Sequence, residues 1–292
     1  MTMKVLACPF LTAVLVLPMA AWGAIHTCRD DVIGGARSRT VRPGESLVEI
    51  GRTYDLGFNE MEAANPGLDP FVPPVGVEVL IPTGWVLPER PDGEGIVVNL
   101  SEMRLYHFTN GRGGPRVATF PVGIGSEGSD TPLGDFSVVA KQEDPAWHVP
   151  VSIRRERPEL PAVVPAGPDN PLGSHALRLS GTDILIHGTN RPWGVGRRVS
   201  HGCIRLYPED IPRLYSRVPV GTRVTIVRQP VKVGVRWGWI YLEVHPDPVA
   251  GLDYLEEAVR LLGKRGLLGK VNRALLLQTV EQRAGVPVNI TE

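Results

Sequence analysis

Two histidines and a cysteine fall in a pattern that suits nucleophilic chemistry: Ile186-His187-Gly188-Thr189-Asn190, then Ser200-His201-Gly202-Cys203-Ile204-Arg205-Leu206. A thiol attacks as thiolate, and a free cysteine with a pKa of about 8.5 is mostly protonated at neutral pH, so it needs a neighbouring base or cation. His187 ends an apolar strand, which holds an imidazole rigidly at the rim of a sheet. Cys203 follows 16 residues later (203 − 187), across a Gly- and Arg-rich loop able to fold back. His201, two residues from Cys203, faces the sulfur only through a special turn and ranks as a substrate-side group. His187 is the better base.

Gly202 permits a backbone geometry that a side chain would obstruct, and such a turn aims successive N–H groups at one point. An oxyanion hole built from the Gly202 and Cys203 N–H groups, with His201 as a further donor, follows; each donor of this kind contributes about 3 kcal/mol to a tetrahedral intermediate. The imidazole also needs an acceptor for its second nitrogen. The Gly188 carbonyl, Asp183 and Asn190 are the three candidates, and the sequence does not choose among them. Arg205 suits a carboxylate of the substrate or a structural salt bridge. Zinc held by His187, His201 and Cys203 is the rival chemistry, but no fourth ligand is signposted and the spacing fits no common zinc pattern. No cofactor is expected.

The elements that must position these groups are short strands at 96–100, 103–108, 117–122, 136–140, 176–179, 184–187 and 223–227, joined through a chain with 28 prolines and 33 glycines. A mainly β core of sandwich or barrel type follows. One helix is expected at about 209–217, just behind the motif, with Pro212 in its first turn. Residues 229–292 read as a strand pair, 231–235 and 239–244, then two amphipathic helices near 252–263 and 271–283. Residues 40–83 read as strand, helix, helix, strand, a small α+β module. The Pro- and Gly-rich segment 84–95 reads as a linker before the catalytic domain at 96–228.

The 31 basic and 31 acidic residues cancel, so no positive field collects phosphates and no nucleic-acid partner is expected. Residues 1–24 have Lys4, an apolar run from Val5 to Ala21, and small residues to Gly23 and Ala24. That is the layout of a secretory signal cleaved near Gly23/Ala24, and it predicts export to the periplasm. Cys8 lies inside this segment. The mature chain keeps Cys28 and Cys203; a disulfide between them would silence the thiol, so Cys28 reads as a stray cysteine in the leader.

His187 with Ser200-His201-Gly202-Cys203 is similar to the catalytic signature of L,D-transpeptidases of the YkuD family. The resemblance spans about residues 95–228. It implies Cys203 as nucleophile and His187 as general base, with Ser200, His201 and Gly202 on the family's supporting positions; Arg205 stands where some members have asparagine. Val41-Arg42-Pro43-Gly44-Glu45-Ser46-Leu47, Ala64-Asn65-Pro66 and Val79-Leu80-Ile81-Pro82 resemble a LysM module, which implies binding of N-acetylglucosamine-containing glycan. Together they resemble the periplasmic subgroup that attaches Braun lipoprotein to peptidoglycan. In that subgroup the nucleophile attacks the bond between diaminopimelate and D-alanine in a tetrapeptide stem, and a lipoprotein lysine resolves the acyl-enzyme. Crosslinking of two diaminopimelates by the same chemistry is the alternative, and a non-catalytic glycan-binding scaffold is the reading of a different class.

Overall fold

The structure is a computed structural model describing residues 25–91 and 93–292; the segment read as an export signal, 1–24, lies outside the described residues. Its N-terminal part runs β1 (Ile25–Thr27), β2 (Val32–Gly34), β3 (Arg37–Thr40), α1 (Leu47–Thr53), α2 (Phe58–Ala64), β4 (Glu78–Ile81) and β5 (Gly84–Val86). The central part follows with β6 (Gly95–Asn99), β7 (Arg104–Gly111), β8 (Gly114–Pro121), β9 (Ile124–Gly125), β10 (Gly134–Glu143), β11 (Trp147–His148), α3 (Val151–Glu156), β12 (Val163–Val164), β13 (His175–Leu179), β14 (Leu185–His187), β15 (Arg198–Ser200), β16 (Ile204–Arg205), α4 (Ile211–Arg217) and β17 (Arg223–Val227). At the C-terminal end are β18 (Val231–Arg236), β19 (Trp239–Val244), α5 (Tyr254–Lys264), α6 (Arg273–Gln282) and β20 (Val288–Asn289).

A nine-stranded sheet in the order β1-β8-β7-β6-β17-β10-β13-β14-β16 dominates the fold, which is therefore mainly β. β10 changes partner along its length. Residues 134–137 pair with β17, residues 138–143 pair with β13, and a bulge falls between Val138 and Ala140. A strand that bends at a bulge carries the chain from one sheet layer to another. The two halves enclose one core, in which Ile96, Val98, Leu105 and Phe120 meet Leu177, Ile186, Ile204 and Leu214.

The other face of β6, β7 and β8 is also covered. Val97, Tyr106, Phe108 and Val117 alternate with the residues above, as period-two geometry requires, and pack with Ile33, Leu47, Ile50, Leu56, Met61 and Trp85. All five residues of β6 are buried as a result. Arg104 crosses this boundary: its guanidinium is fully buried and pairs with Glu60 of α2 through Nε at 2.9 Å and Nη2 at 2.8 Å. Gly84–Val86, within the segment expected as a linker, is strand β5; Trp85 donates to Glu60 and its ring lies under Arg104. A Pro-rich stretch reads as linker by composition, but one buried tryptophan anchors it. The N-terminal part and the sheet thus share a core, and residues 40–83 are packed directly against the sheet.

The C-terminal strands β18, β19 and β20 pack with α5 and α6 around a third core. A buried polar cluster joins that unit to the sheet: Lys232 Nζ lies 2.8 Å from both Glu102 and Glu243, and the Tyr106 hydroxyl donates to Glu102 at 2.7 Å. Glu102, Glu243 and His245 form the one group of three converging metal-ligand types among the described residues, and the Lys232 ammonium already occupies the place of a cation there.

Candidate active site

His187 and Cys203 lie at the edge of the sheet, where β14 and β16 run parallel with Ile186 opposite Ile204 and His187 opposite Arg205. Ile186 and Ile204 point into the core, so His187 and Arg205 project from the other face. Cys203, one residue before β16, has the parity of Arg205. The Leu185 N–H donates to its Sγ at 3.4 Å, which fixes the thiol beside the strand that carries His187.

The His187 ring is buried, and its Nδ1 lies 2.6 Å from the Gly188 carbonyl oxygen. A carbonyl only accepts, so Nδ1 carries the proton, and a neutral ring then leaves Nε2 as an acceptor. Burial and the nearby Arg205 charge push the His187 pKa down to about 4, although the Gly188 and Leu172 carbonyls favour the protonated ring. Burial pushes the Cys203 thiol up; the Leu185 N–H and Arg205 oppose this without reversing it. Thiol and imidazole therefore rest as a neutral pair at pH 7 rather than as an ion pair.

Of the three candidates for the orienting acceptor, the Gly188 carbonyl has the place. Asp183 is fully exposed and pairs with Arg178, while the Asn190 amide donates to the Asp169 carbonyl. His201 is exposed.

The turn before β16 is pinned by its carbonyls. Thr131 donates to the Gly202 carbonyl at 2.8 Å, and the buried Ser200 hydroxyl donates to the Cys203 carbonyl at 2.6 Å. The Thr131 hydroxyl in turn accepts from the Gly125 N–H at 2.9 Å. Gly202 has φ +98°, and a Cβ there would stand 2.9 Å from Ile184 Cδ1, so glycine is required. Among the described residues no carbonyl accepts from the Gly202 or Cys203 N–H. Arg205 Nε is buried without a protein partner, and burial lowers its pKa, with Arg191 adding to the effect. Arg205 and Arg178 both lie close enough to act on the thiol electrostatically. Cys28 and Cys203 are both free thiols.

Thr131, Leu185 and Arg191 are absent from the sequence reading. Thr131 is 71 residues from Gly202 in the chain, and no motif marks it.

The N-terminal part grips both segments that flank Cys203. At the start of α2 the Phe58 and Asn59 N–H groups donate to the Val195 and Gly196 carbonyls, in the loop between His187 and Cys203. Arg197 lies over the Phe58 ring at 3.8 Å. Beyond Cys203, the Tyr207 hydroxyl donates to the Leu56 carbonyl, and Arg52 of α1 makes two bonds of 2.7 and 2.8 Å to Glu209.

The YkuD L,D-transpeptidase catalytic domain matches residues 93–226. The chain is 46% identical over 270 residues to Probable L,D-transpeptidase ErfK/SrfK of Escherichia coli (strain K12), covering 85% of this chain and 83% of that one. Against Probable L,D-transpeptidase YcfS of the same strain it is 38% identical over 261 residues, 85% and 81% of the two chains. Against Probable L,D-transpeptidase YbiS it is 39% identical over 251 residues, 81% and 80%.

Proposed function

The chain belongs to the L,D-transpeptidase family, with a YkuD-type catalytic domain, and on that premise we propose that it works through a thioester on Cys203. His187 Nε2 takes the thiol proton as Sγ attacks the carbonyl of diaminopimelate in a tetrapeptide stem. The Gly202 and Cys203 N–H groups receive the oxyanion. Collapse of the intermediate breaks the bond to D-alanine, whose amine leaves with the proton from His187. An acceptor amine then attacks the thioester, His187 takes its proton, and the thiol is restored on departure. The observation that supports this reading is the hydrogen bond from His187 Nδ1 to the Gly188 carbonyl, which fixes a neutral ring on the strand whose Leu185 N–H holds the Cys203 thiol.

Arg205 is the group proposed to hold a stem carboxylate, and exposed His201 faces the incoming peptide. We read residues 40–83 as a LysM-like module whose strand, helix, helix, strand order supports glycan binding, and the chain as exported to the periplasm through residues 1–24. Among the described residues no helix is long and apolar enough to cross a membrane. The acceptor is proposed to be the C-terminal lysine of an outer-membrane lipoprotein. Incubating the enzyme with a disaccharide tetrapeptide and a lysine-ended peptide tests this: an amide between the lysine side chain and diaminopimelate supports it. A product joining only two diaminopimelates would assign the chain to crosslinking.

A further inference from the structure

A cleft of about 550 Å³ opens between the N-terminal part and the segment that follows Cys203. Glu49, Arg52 and Thr53, spaced to share one face of α1, form one wall; Glu209 and Arg213, at the start of α4, form the other. Trp193 closes the side. It belongs to the loop that joins His187 to Cys203, and half of it is exposed, whereas Val195 in the same loop is buried. Arg191, two residues before Trp193, is close enough to Arg205 for their charges to interact, so the loop runs from the neighbourhood of Arg205 to this cleft.

We propose that the cleft is a saccharide subsite that takes an N-acetylated aminosugar ring of the glycan strand carrying the donor stem, with Trp193 as its stacking platform. This rests on the reading that the donor is a peptidoglycan stem. The volume lies within the roughly 300–1,000 Å³ of small-molecule sites. An exposed indole face suits the C–H face of a sugar ring. Part of the charge on these walls is paired within the cleft: Arg52 is bidentate to Glu209, and Glu49 accepts from the Ser46 N–H and hydroxyl. With Asp55 also in the lining, three carboxylates face two guanidiniums, so the cleft is mildly acidic and an anionic ligand is disfavoured. Neutral hydroxyl and acetamido groups, which donate and accept, match both kinds of wall. Three stem residues span roughly 10 Å when extended, which keeps the sugar of the donor strand near the thiol, and the loop that joins His187 to Cys203 carries Trp193.

Two measurements test the subsite. In 15N-labelled Cys203→Ala protein, the indole N–H resonance of Trp193, assigned by its loss in Trp193→Phe, is followed while chitotetraose is added. A saturable shift is expected. No movement of this resonance, or movement with free tetrapeptide but not with chitotetraose, would overturn the subsite. Chitotetraose carries no stem, so this arm is independent of whether the stem reading holds. In active enzyme, the ratio of kcat/KM for a disaccharide-linked stem to that for the free tetrapeptide is compared between wild type and Trp193→Ala. A fall of about tenfold in the ratio, the value of one stacked ring, is expected, with Trp193→Phe retaining most of it; an unchanged ratio contradicts the proposal. Failure of wild type to acylate with either stem would count against the proposed function and leave the titration to decide the cleft.

Discussion

The Nδ1 atom of His187 lies 2.6 Å from the carbonyl oxygen of Gly188, its own neighbour in the chain. One short backbone bond thus sets the tautomer of the ring, and burial with the Arg205 charge keeps it neutral, with a pKa pushed down to about 4. In the proposed mechanism, protonation below that value removes the acceptor for the thiol proton. The acid limb of kcat/KM with a soluble tetrapeptide is therefore expected near pH 4, with a flat profile between pH 5 and 7. An inflection near 6.5 would show an ordinary, solvated imidazole in the role.

The same depression links stability to pH. An unfolded histidine takes up a proton below about 6.5, while folded His187 refuses it until about 4. Stability is complete above 6.5 and declines as pH falls through that window, by about 2 kcal/mol between pH 7 and pH 5 from His187 alone. Urea midpoints measured over this range check it. His187→Gln should flatten the decline, and parallel curves for the two proteins would contradict it.

Thr131 is expected to act through the turn it pins. Thr131→Val strands the Gly202 carbonyl and the Gly125 N–H, costing about 1–3 kcal/mol of stability. It also frees the turn that aims the Gly202 and Cys203 N–H groups. Steady-state kinetics on tetrapeptide should show kcat down about tenfold or more with KM little changed, and Thr131→Ser should restore it. Equal loss in both variants would make the effect one of packing.

Gly202→Ala forces a Cβ against Ile184 at a φ of +98°, a conformation that costs about 1–3 kcal/mol for a residue with a side chain. Acylation is expected to drop by about a hundredfold while circular dichroism stays that of a folded protein. Near-normal acylation would remove Gly202 from the oxyanion hole.

Residues 40–83 are expected to be inseparable from catalysis. Deleting them takes Glu60 from the buried Arg104 and bares Val97, Tyr106, Phe108 and Val117. Glu60→Ala alone should cost about 4 kcal/mol, because it leaves a buried charge unpaired. A truncated chain that melts cooperatively and still acylates would show that the grip on Val195, Gly196 and Tyr207 is dispensable.

That the His187 and Cys203 segments come together is expected from the sequence, and β14 and β16 do run side by side; the backbone freedom expected of Gly202 is present as its positive φ. Strand periodicity located β6, β7, β8, β10, β13, β14 and β17, since each carries an alternating or fully apolar run. The Gly188 carbonyl could not be chosen over Asp183 and Asn190 without the fold, as all three lie near His187 in the chain. Thr131 and Phe58 were invisible for a different reason: each acts through a hydrogen bond or contact made by tertiary packing with residues far away in sequence. Trp85 held a signal, an aromatic residue amid prolines and glycines, that composition alone averaged away.

Intact-protein mass spectrometry tests the thioester most directly. Mature wild-type chain and Cys203→Ala are incubated under reducing conditions with a disaccharide tetrapeptide and no acceptor. The account predicts an adduct on the wild type alone, equal in mass to the stem less D-alanine and discharged when a lysine-ended peptide is added. An adduct that persists in Cys203→Ala, or D-alanine release without any adduct dependent on Cys203, would contradict it.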